Sequence, residues 1–210
     1  MTGVLLVRHG QTEWNREQVF RGRADIPLSE TGLKQAEALG RRLADERLSA
    51  VYSSPLNRAL VTAEHLTGTS GFQPQAVDGL TDMSYGEWEG WQCRQVEQQY
   101  PELYACWLSE PHLVRPPGGE MLAEVRERAT AALEEIIARH PRATVAVVSH
   151  RVVNKVLLCA ALGLGDDAFW RIRQDTCCLN VMEHDGTGLS VCLLNDTCHL
   201  RGLEKDRADF

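Results

Sequence analysis

Leu5-Leu6-Val7-Arg8-His9-Gly10-Gln11-Thr12-Glu13-Trp14-Asn15 is the stretch around which the chain is organised. A short apolar run that ends at a glycine is typical of a buried strand followed by a loop. The pattern therefore predicts that Arg8 and His9 lie at the carboxyl end of a strand, where open α/β sheets bind ligands. Arginine suits phosphate binding and histidine can act as a nucleophile, while Gly10 is expected to let the backbone turn and approach a ligand closely. For these residues alone, the alternative is an ordinary strand end with solvated side chains.

The composition indicates a soluble globular protein, since 43% of the 210 residues are hydrophobic and 24% are charged. We expect one domain over residues 1–200 and a charged tail at 201–210. The net charge of −7 argues against nucleic acid as a partner. A phosphorylated ligand would therefore need cations supplied locally by its site.

The cysteine pattern and the lengths of the apolar runs bear on the compartment. Seven cysteines lack CxxC spacing and are expected to be reduced thiols of a cytoplasmic protein. The apolar run at 4–7 is too short for a signal peptide. Because no stretch approaches the ~20 apolar residues of a membrane helix, no membrane association is expected.

The order of apolar strands and amphipathic helices predicts a three-layer α/β/α sandwich. Its sheet is expected to be mostly parallel, with an antiparallel strand near the C-terminus and a hairpin signal at Asp185-Gly186-Thr187-Gly188. The predicted strands lie at 4–7, 49–53, 75–77, 144–149, 178–183 and 189–194, and the predicted helices at 29–45, 54–66, 120–139 and 150–162.

Residues 79–118 show little periodicity and contain Trp88, Trp91 and Trp107. We interpret them as an inserted lid segment that folds over the site. The alternative is a plain surface loop with one helix at 93–107. A tryptophan-rich segment with few cations favours a substrate whose alcohol part is apolar or variable.

At two further positions, as in the opening stretch, polar residues directly follow a predicted strand. The apolar run Val145–Val148 is followed by Ser149-His150, and the start of a helix there favours anions. Ser53-Ser54-Pro55-Leu56-Asn57-Arg58 places Arg58 in the first turn of a helix, where a cation is unfavourable unless an anion is present. Taken alone, such a histidine is more often a capping residue and such an arginine a surface residue.

Together these stretches resemble the histidine phosphatase (phosphoglycerate mutase-like) superfamily, from residue 4 to about residue 196. The resemblance implies a phosphoric monoester hydrolase in which His9 attacks phosphorus and forms a phosphohistidine, with His150 as the second histidine of the site. It implies that Arg8, Arg58 and Asn15 surround the phosphoryl group, whose transfer depends mainly on electrostatic stabilisation. No metal or other cofactor is implied.

The proton donor of the family falls on Asp82, in the block Leu80-Thr81-Asp82-Met83-Ser84-Tyr85-Gly86-Glu87-Trp88-Glu89-Gly90. Asp82 is a departure, because many members have the longer glutamate there. Glu87 and Glu89 are the rival acids within the segment. The acid is expected to give its proton to the leaving alcohol and then, as a carboxylate, to activate water.

Arg151 is a second departure, since many members have glycine after the second histidine. Its amide is expected to keep the family's backbone contact, while its side chain points to the substrate or to an acidic neighbour. The expected substrate-binding residues are Arg8, Asn15, Arg21, Gly22, Arg58, Tyr85 and Arg151, with Arg94 as a further polar side chain near the substrate.

The segments 11–15 and 86–90 are similar to the broad-specificity phosphatase and α-ribazole phosphatase branch. The insertion lacks the adjacent Arg-Arg pair with which cofactor-dependent phosphoglycerate mutases hold their substrate. We therefore predict a metal-independent phosphomonoesterase that acts on a small phosphorylated metabolite. A mutase and a non-catalytic phosphate-binding member are the alternatives, and a homodimer is the assembly considered.

Overall fold

One mixed sheet crosses the centre of the protein, whose computed structural model describes residues 1–68 and 73–203. Its strands are β1 (Thr2–Arg8), β2 (Leu48–Ser53), β3 (Gln75–Ala76), β4 (Thr144–Ser149), β5 (Leu179–His184) and β6 (Leu189–Asp196). They lie in the order β3-β2-β4-β1-β5-β6. Neighbouring strands from β3 to β1 pair in parallel, whereas β5 runs antiparallel to both β1 and β6. The predicted mixed sheet with an antiparallel strand near the C-terminus is confirmed.

Helices cover both faces of this sheet. They are α1 (Glu13–Arg16), α2 (Glu30–Arg42), α3 (Asn57–Thr67), α4 (Cys93–Gln99), α5 (Pro101–Ser109), α6 (Leu122–Arg139) and α7 (Arg151–Ala161). Because side chains alternate along a strand, Leu5 and Val7 of β1 pack with α2 and α3, while Val4 and Leu6 pack with α6 and α7. The result is the predicted three-layer sandwich.

Two helix predictions differ from the structure, and proline explains the second. Helix α3 begins at Asn57, so Pro55 lies before the helix rather than in its first turn. The helix considered at 93–107 is two helices, α4 and α5, which meet at Tyr100 and Pro101. A proline ring restricts the residue before it to extended backbone, and it lacks the amide hydrogen that would continue α4.

The segment 79–118 contributes to the main core. Leu80, Met83, Trp88 and Trp107 are fully buried there, against residues of α6 and α7. Burial of large aromatic side chains contributes strongly to stability, so these tryptophans hold the segment onto the sheet layer. The division into a domain at 1–200 and a tail stays a prediction, and residues 204–210 of that tail lie outside the described residues.

All seven cysteines are unpaired, and four of them are buried. Within the described part of the chain, no helix combines the length and the apolar character needed to cross a membrane.

Candidate active site

The carboxyl ends of three adjacent parallel strands bring the predicted site residues together. The order β2-β4-β1 places Ser54, His150 and His9, each directly after its strand, at one edge of the sheet. The backbone continues the sheet pairing there, because the His9 amide donates to the Ser149 carbonyl at 3.0 Å and the Ser54 amide to the Val148 carbonyl at 2.9 Å. Residues 140 positions apart therefore become neighbours through strand order alone.

The ring of His9 is buried and held in one tautomer. Its Nδ1 lies 2.6 Å from the carbonyl oxygen of Gly10. A carbonyl only accepts hydrogen bonds, so Nδ1 carries the proton and the lone pair resides on Nε2. Burial, followed by the nearby guanidinium groups of Arg58 and Arg8, holds the pKa of His9 well below its ordinary value. The imidazole is therefore neutral at neutral pH, which is the form a nucleophile needs.

Gly10 has a different role from the one expected. A Cβ atom at this position would lie 2.6 Å from the carbonyl oxygen of Gly32 in α2. The close approach that requires glycine is thus to the backbone of α2, rather than to a ligand. The Gly10 amide donates to Thr62 Oγ1 at 3.1 Å, which ties the loop to α3 as well.

His150 faces His9 from the next strand. It is the N-cap of α7, and the centroids of the two imidazole rings lie 5.1 Å apart. Its Nε2 is 2.7 Å from Ser54 Oγ, and its Nδ1 makes no hydrogen bond and lies 3.7 Å from Asp82 Oδ2. Burial, with the charge of Arg58 next, lowers the pKa of His150 well below its ordinary value. One ring nitrogen of each histidine is thus free of a protein hydrogen bond.

Two fully buried arginines surround these rings. Arg58, in the first turn of α3, donates to the carbonyls of Ala24 at 2.7 Å and Gly22 at 2.8 Å and lies 3.2 Å from Asp82 Oδ2. Gly22, at φ +50°, turns its carbonyl toward that guanidinium. Arg8, on β1, donates to the carbonyl of Gln174. Buried guanidinium groups stay charged, so the site is positive although the chain is acidic.

The side chain of Asn15 is held through its oxygen, while its amide nitrogen makes no hydrogen bond. Its Oδ1 accepts hydrogen bonds from the amide and the hydroxyl of Thr12, both at 2.9 Å. Its Nδ2 is buried and has no hydrogen-bond partner. An unsatisfied buried donor is costly in the folded state. Such a donor next to the opening loop suits an anionic ligand.

Asp82 is the carboxylate that the structure brings to the histidines. It is 5% exposed, and its Oδ1 accepts from the amide of Met83 at 3.0 Å. Glu87 instead accepts from the Tyr100 hydroxyl at the surface, and Glu89 accepts from the amides of Tyr85 and Arg23. Both rival acids are therefore engaged away from the two histidines.

A family model described as the histidine phosphatase superfamily (branch 1) matches residues 4–197. The chain belongs to the histidine phosphatase superfamily. Phosphoserine phosphatase 1 of Hydrogenobacter thermophilus is 38% identical over 200 residues, which cover 95% of each chain. The chain is accordingly a phosphoric monoester hydrolase, as the resemblance implied.

Solved structures of the superfamily share this fold. YhfR of Bacillus stearothermophilus is 34% identical and covers 95% of this chain and 100% of its own, with a TM-score of 0.92. The α-ribazole phosphatase of Shigella flexneri is 25% identical, covering 92% of this chain and 96% of its own, with a TM-score of 0.85. The similarity to the α-ribazole phosphatase branch is thereby confirmed.

A small cleft lies beside Asp82. Its cavity volume is only about 10 Å³, and it is lined by Val19, Phe20, Arg21, Asp82, Tyr85, Arg151 and Val152. A larger groove of about 570 Å³ lies between α6, α7 and the β5–β6 turn, and its lining includes Glu134 but no arginine. Phosphate binding requires cations, and of these two spaces only the smaller cleft has arginines in its lining.

Tryptophan side chains and Arg94 are absent from the lining of this cleft. Trp88 and Trp107 of the segment 79–118 are instead buried in the core. Arg94 is exposed on α4 and is also absent from the lining. Two arginines, Arg21 and Arg151, line the cleft instead of an apolar wall of indoles.

Arg128 of α6 holds the Asp82 loop, a role that we did not predict from the sequence. Its guanidinium donates to the carbonyls of Gly79, Thr81 and Asp82 at 2.9, 2.6 and 3.1 Å. It also pairs with Glu120, whose carboxylate accepts from the Ser84 amide at 2.7 Å. The sequence did contain a signal that Arg128 faces the core. It lies three residues after Val125 and four before Ala132, on the apolar side of the helix.

Acid is expected to destabilise the ligand-free protein below about pH 6.5. His9 and His150 have lowered pKa values in the folded state, so only the unfolded chain takes up their protons in this range. Stability then falls with decreasing pH by about 1.4 kcal/mol per pH unit for each histidine. Urea unfolding at a series of pH values measures this slope.

The variant His9→Gln lacks one of the two histidines. The pH dependence of its unfolding free energy is therefore expected to be shallower by about 1.4 kcal/mol per pH unit, which corresponds to one proton. The exposed His65 provides the control, because His65→Gln should keep the slope of the parent chain. An unchanged slope in His9→Gln would contradict the assignment of neutral buried histidines.

Proposed function

We propose that this histidine phosphatase hydrolyses phosphomonoesters by attack of His9 Nε2 on phosphorus. The observation that carries the proposal is the tautomer of His9, whose Nδ1–H···O bond to Gly10 leaves Nε2 with the lone pair inside a buried cationic site. In-line attack would form a phosphohistidine and release the alcohol. Water would then cleave the P–N bond, returning inorganic phosphate and the free imidazole.

The phosphoryl group would be surrounded by donors that the protein holds ready. Arg8 and Arg58 supply permanent charge, and the unpartnered Nδ2 of Asn15 supplies a neutral donor. His150 would donate through Nδ1, because its Nε2 is occupied by Ser54 Oγ. Donors held in place before the reaction stabilise the developing charge without reorganisation.

Asp82 would be the proton donor to the leaving alcohol. In the ligand-free structure its Oδ2 is the ion-pair partner of Arg58 at 3.2 Å. A bound phosphate would take over that guanidinium and release the Asp82 carboxyl for proton transfer to the leaving oxygen. After the alcohol leaves, the same carboxylate would activate the hydrolytic water.

The alcohol part of a small phosphorylated metabolite would lie against Arg21, Tyr85 and Arg151, which line the cleft beside Asp82. Phosphoserine phosphatase 1 and the α-ribazole phosphatase, by their names, act on such small esters, which supports the substrate class. The Gly22 carbonyl faces Arg58, so Gly22 would act through that arginine. Cytoplasmic location and a homodimer stay predictions.

Activity is expected to be unchanged by strong chelators. Attack by histidine and charge neutralisation by arginine replace the Lewis-acid role of a metal. In the described part of the chain, no group of three or more His, Cys, Asp or Glu side chains could hold a metal ion. Steady-state hydrolysis of p-nitrophenyl phosphate with and without EDTA tests both the activity and its metal independence.

Loss of turnover in EDTA that magnesium restores would contradict the metal-independent mechanism. Absence of turnover under all conditions, with the protein folded, would contradict the proposed function itself. Addition of vanadate provides a positive control, since it should inhibit an enzyme whose site stabilises a five-coordinate phosphorus.

A further inference from the structure

The two histidines of the site differ in which ring nitrogen the protein contacts. The Nδ1 atom of His9 is held by the Gly10 carbonyl, which leaves the lone pair of its Nε2 available. In His150 the arrangement is reversed, since Nε2 lies 2.7 Å from Ser54 Oγ and the buried Nδ1 has no hydrogen-bond partner. A neutral imidazole carries one proton and one lone pair, so its neighbours decide which nitrogen carries the proton. The role of His150 thus depends on the direction of its hydrogen bond with Ser54.

The surroundings of the Ser54 hydroxyl decide that direction. Ser54 is fully buried, and its Oγ already accepts from the Leu56 amide at 3.3 Å. Within the residues that the structure describes, His150 Nε2 is the one acceptor within hydrogen-bond distance of the hydroxyl proton. If Nε2 carried the proton and donated instead, the hydroxyl proton would be buried without an acceptor, which is costly. The arrangement therefore favours donation by Ser54 and a lone pair on Nε2.

Asp82 favours the same tautomer from the Nδ1 side of the ring. Its Oδ2 lies 3.7 Å from His150 Nδ1, beyond hydrogen-bond distance but close enough for its charge to act. The carboxylate is held in orientation, because its Oδ1 accepts from the Met83 amide at 3.0 Å. A negative oxygen attracts an N–H group and repels a nitrogen lone pair. Two separate contacts thus place the proton of His150 on Nδ1.

Sheet pairing holds Ser54 in register with His150. The Ser54 amide donates to the carbonyl of Val148 at 2.9 Å, and Val148 precedes His150 by two residues at the end of β4. In the part of the chain that the structure describes, the bond to Ser54 is the single hydrogen bond of the His150 ring. Its loss would leave the ring free to turn about its Cβ–Cγ bond and to change tautomer.

We propose that Ser54 is the positioning residue that fixes His150 as an Nδ1–H donor to the phosphoryl group. This rests on the proposed phosphatase function and explains how two neighbouring histidines take different roles in it. Both rings have the proton on Nδ1, but only His9 has an uncovered Nε2 lone pair with which to attack phosphorus. Ser54 acts through His150, because its hydroxyl covers the Nε2 atom that would otherwise compete as a nucleophile.

The ¹⁵N spectra of the imidazole rings test the tautomer without any need for turnover. A ring nitrogen with a lone pair resonates far downfield of one that carries a proton, and His150→Gln identifies the His150 signals by their loss. In the ligand-free parent chain at neutral pH, we expect a protonated Nδ1 and a lone pair on Nε2. In Ser54→Ala the two signals of His150 should move toward each other as both tautomers become populated, while those of His9 keep their parent values.

Steady-state kinetics with p-nitrophenyl phosphate test whether the position of this proton matters to the reaction. Ser54→Ala is expected to lower kcat by about 10- to 100-fold with little change in KM, because a positioned donor acts mainly on the transition state. Ser54→Thr keeps the hydroxyl and should restore most of kcat. Ser53→Ala is the matched control, since Ser53 is equally buried but its hydroxyl donates to the Ser54 carbonyl at 2.9 Å. This control should keep the kcat and the ¹⁵N signals of the parent chain.

The outcomes distinguish this inference from the proposed function. Unchanged ¹⁵N signals of His150 in Ser54→Ala would overturn the inference, as would a parent chain with the proton on Nε2. Equal losses of kcat in Ser54→Ala and Ser53→Ala would show general disruption of the strand end, and would overturn it too. If Ser54→Ala does not fold, Ser54→Cys keeps the size of the side chain with only a weak donor and should show the same changes. A folded parent chain that hydrolyses no ester would contradict the proposed function, while the spectra still decide the tautomer.

Discussion

Replacing His9 with alanine is expected to lower kcat by about 10⁴-fold or more, because loss of a covalent nucleophile removes the whole reaction path. His150 cannot substitute for it, since its Nε2 is hydrogen-bonded to Ser54 Oγ and its ring approaches from the neighbouring strand. The variant should still bind inorganic phosphate through Arg8, Arg58 and Asn15. Thermal stabilisation by phosphate shows that the variant is folded and that its site is intact.

Covalent trapping identifies the intermediate directly. Rapid quenching with ³²P-labelled substrate should leave acid-labile, base-stable label on the parent chain, and none on His9→Ala. His65→Ala, at an exposed position of α3, should retain both the label and the turnover. Substantial turnover by His9→Ala, or label that maps to His150, would contradict the assigned nucleophile.

Replacing Asp82 with asparagine is expected to slow the hydrolysis of alkyl phosphates by about 100-fold or more, the usual contribution of general acid catalysis. An alkoxide is a strong base and leaves poorly without a proton. A nitrophenolate needs no proton, so phosphorylation of the enzyme by p-nitrophenyl phosphate should be slowed much less. Comparison of kcat/KM for the two ester types measures this difference.

The second half-reaction supplies an independent measurement on the same variant. Water activation by the carboxylate is also lost, so the phosphoenzyme should accumulate and nitrophenol should appear in a burst. Glu87→Gln is the matched control, because Glu87 is exposed and bonds the Tyr100 hydroxyl. If Asp82→Asn kept alkyl phosphatase activity while Glu87→Gln lost it, the acid would have been assigned to the wrong carboxylate.

The lining of the cleft shows which side chains the sequence could place. Arg21, Tyr85 and Arg151, which were expected near the substrate, line the cleft. The tryptophans of 79–118 favoured a substrate with an apolar or variable alcohol part, but Trp88 and Trp107 are buried in the core. The composition shows that large aromatic residues are present, but it does not show whether they are buried in the core or line a cleft. In this protein Trp88 and Trp107 stabilise the segment and do not line the cleft.

The sequence by itself determined the sheet and its layers, whereas the family resemblance implied that His9 and His150 share one site. Apolar periodicity is a local property, and a polar residue placed after a buried parallel strand must lie at the carboxyl edge of the sheet. The same resemblance also selected Arg8, Arg58 and Asp82. Asp82, however, lies far along the chain from both histidines, and only the packing of its loop places it 3.2 Å from Arg58.

Only the tertiary structure decided which groups those residues contact. The tautomer of His9 depends on a single carbonyl orientation at Gly10, and the Asp82 loop depends on Arg128 from a helix more than forty residues later. The placement of Arg151 against Trp170 and Tyr85 joins three separate segments. Such contacts depend on how distant segments pack, and because side-chain packing is set by three-dimensional complementarity rather than by local periodicity, no sequence pattern encodes them.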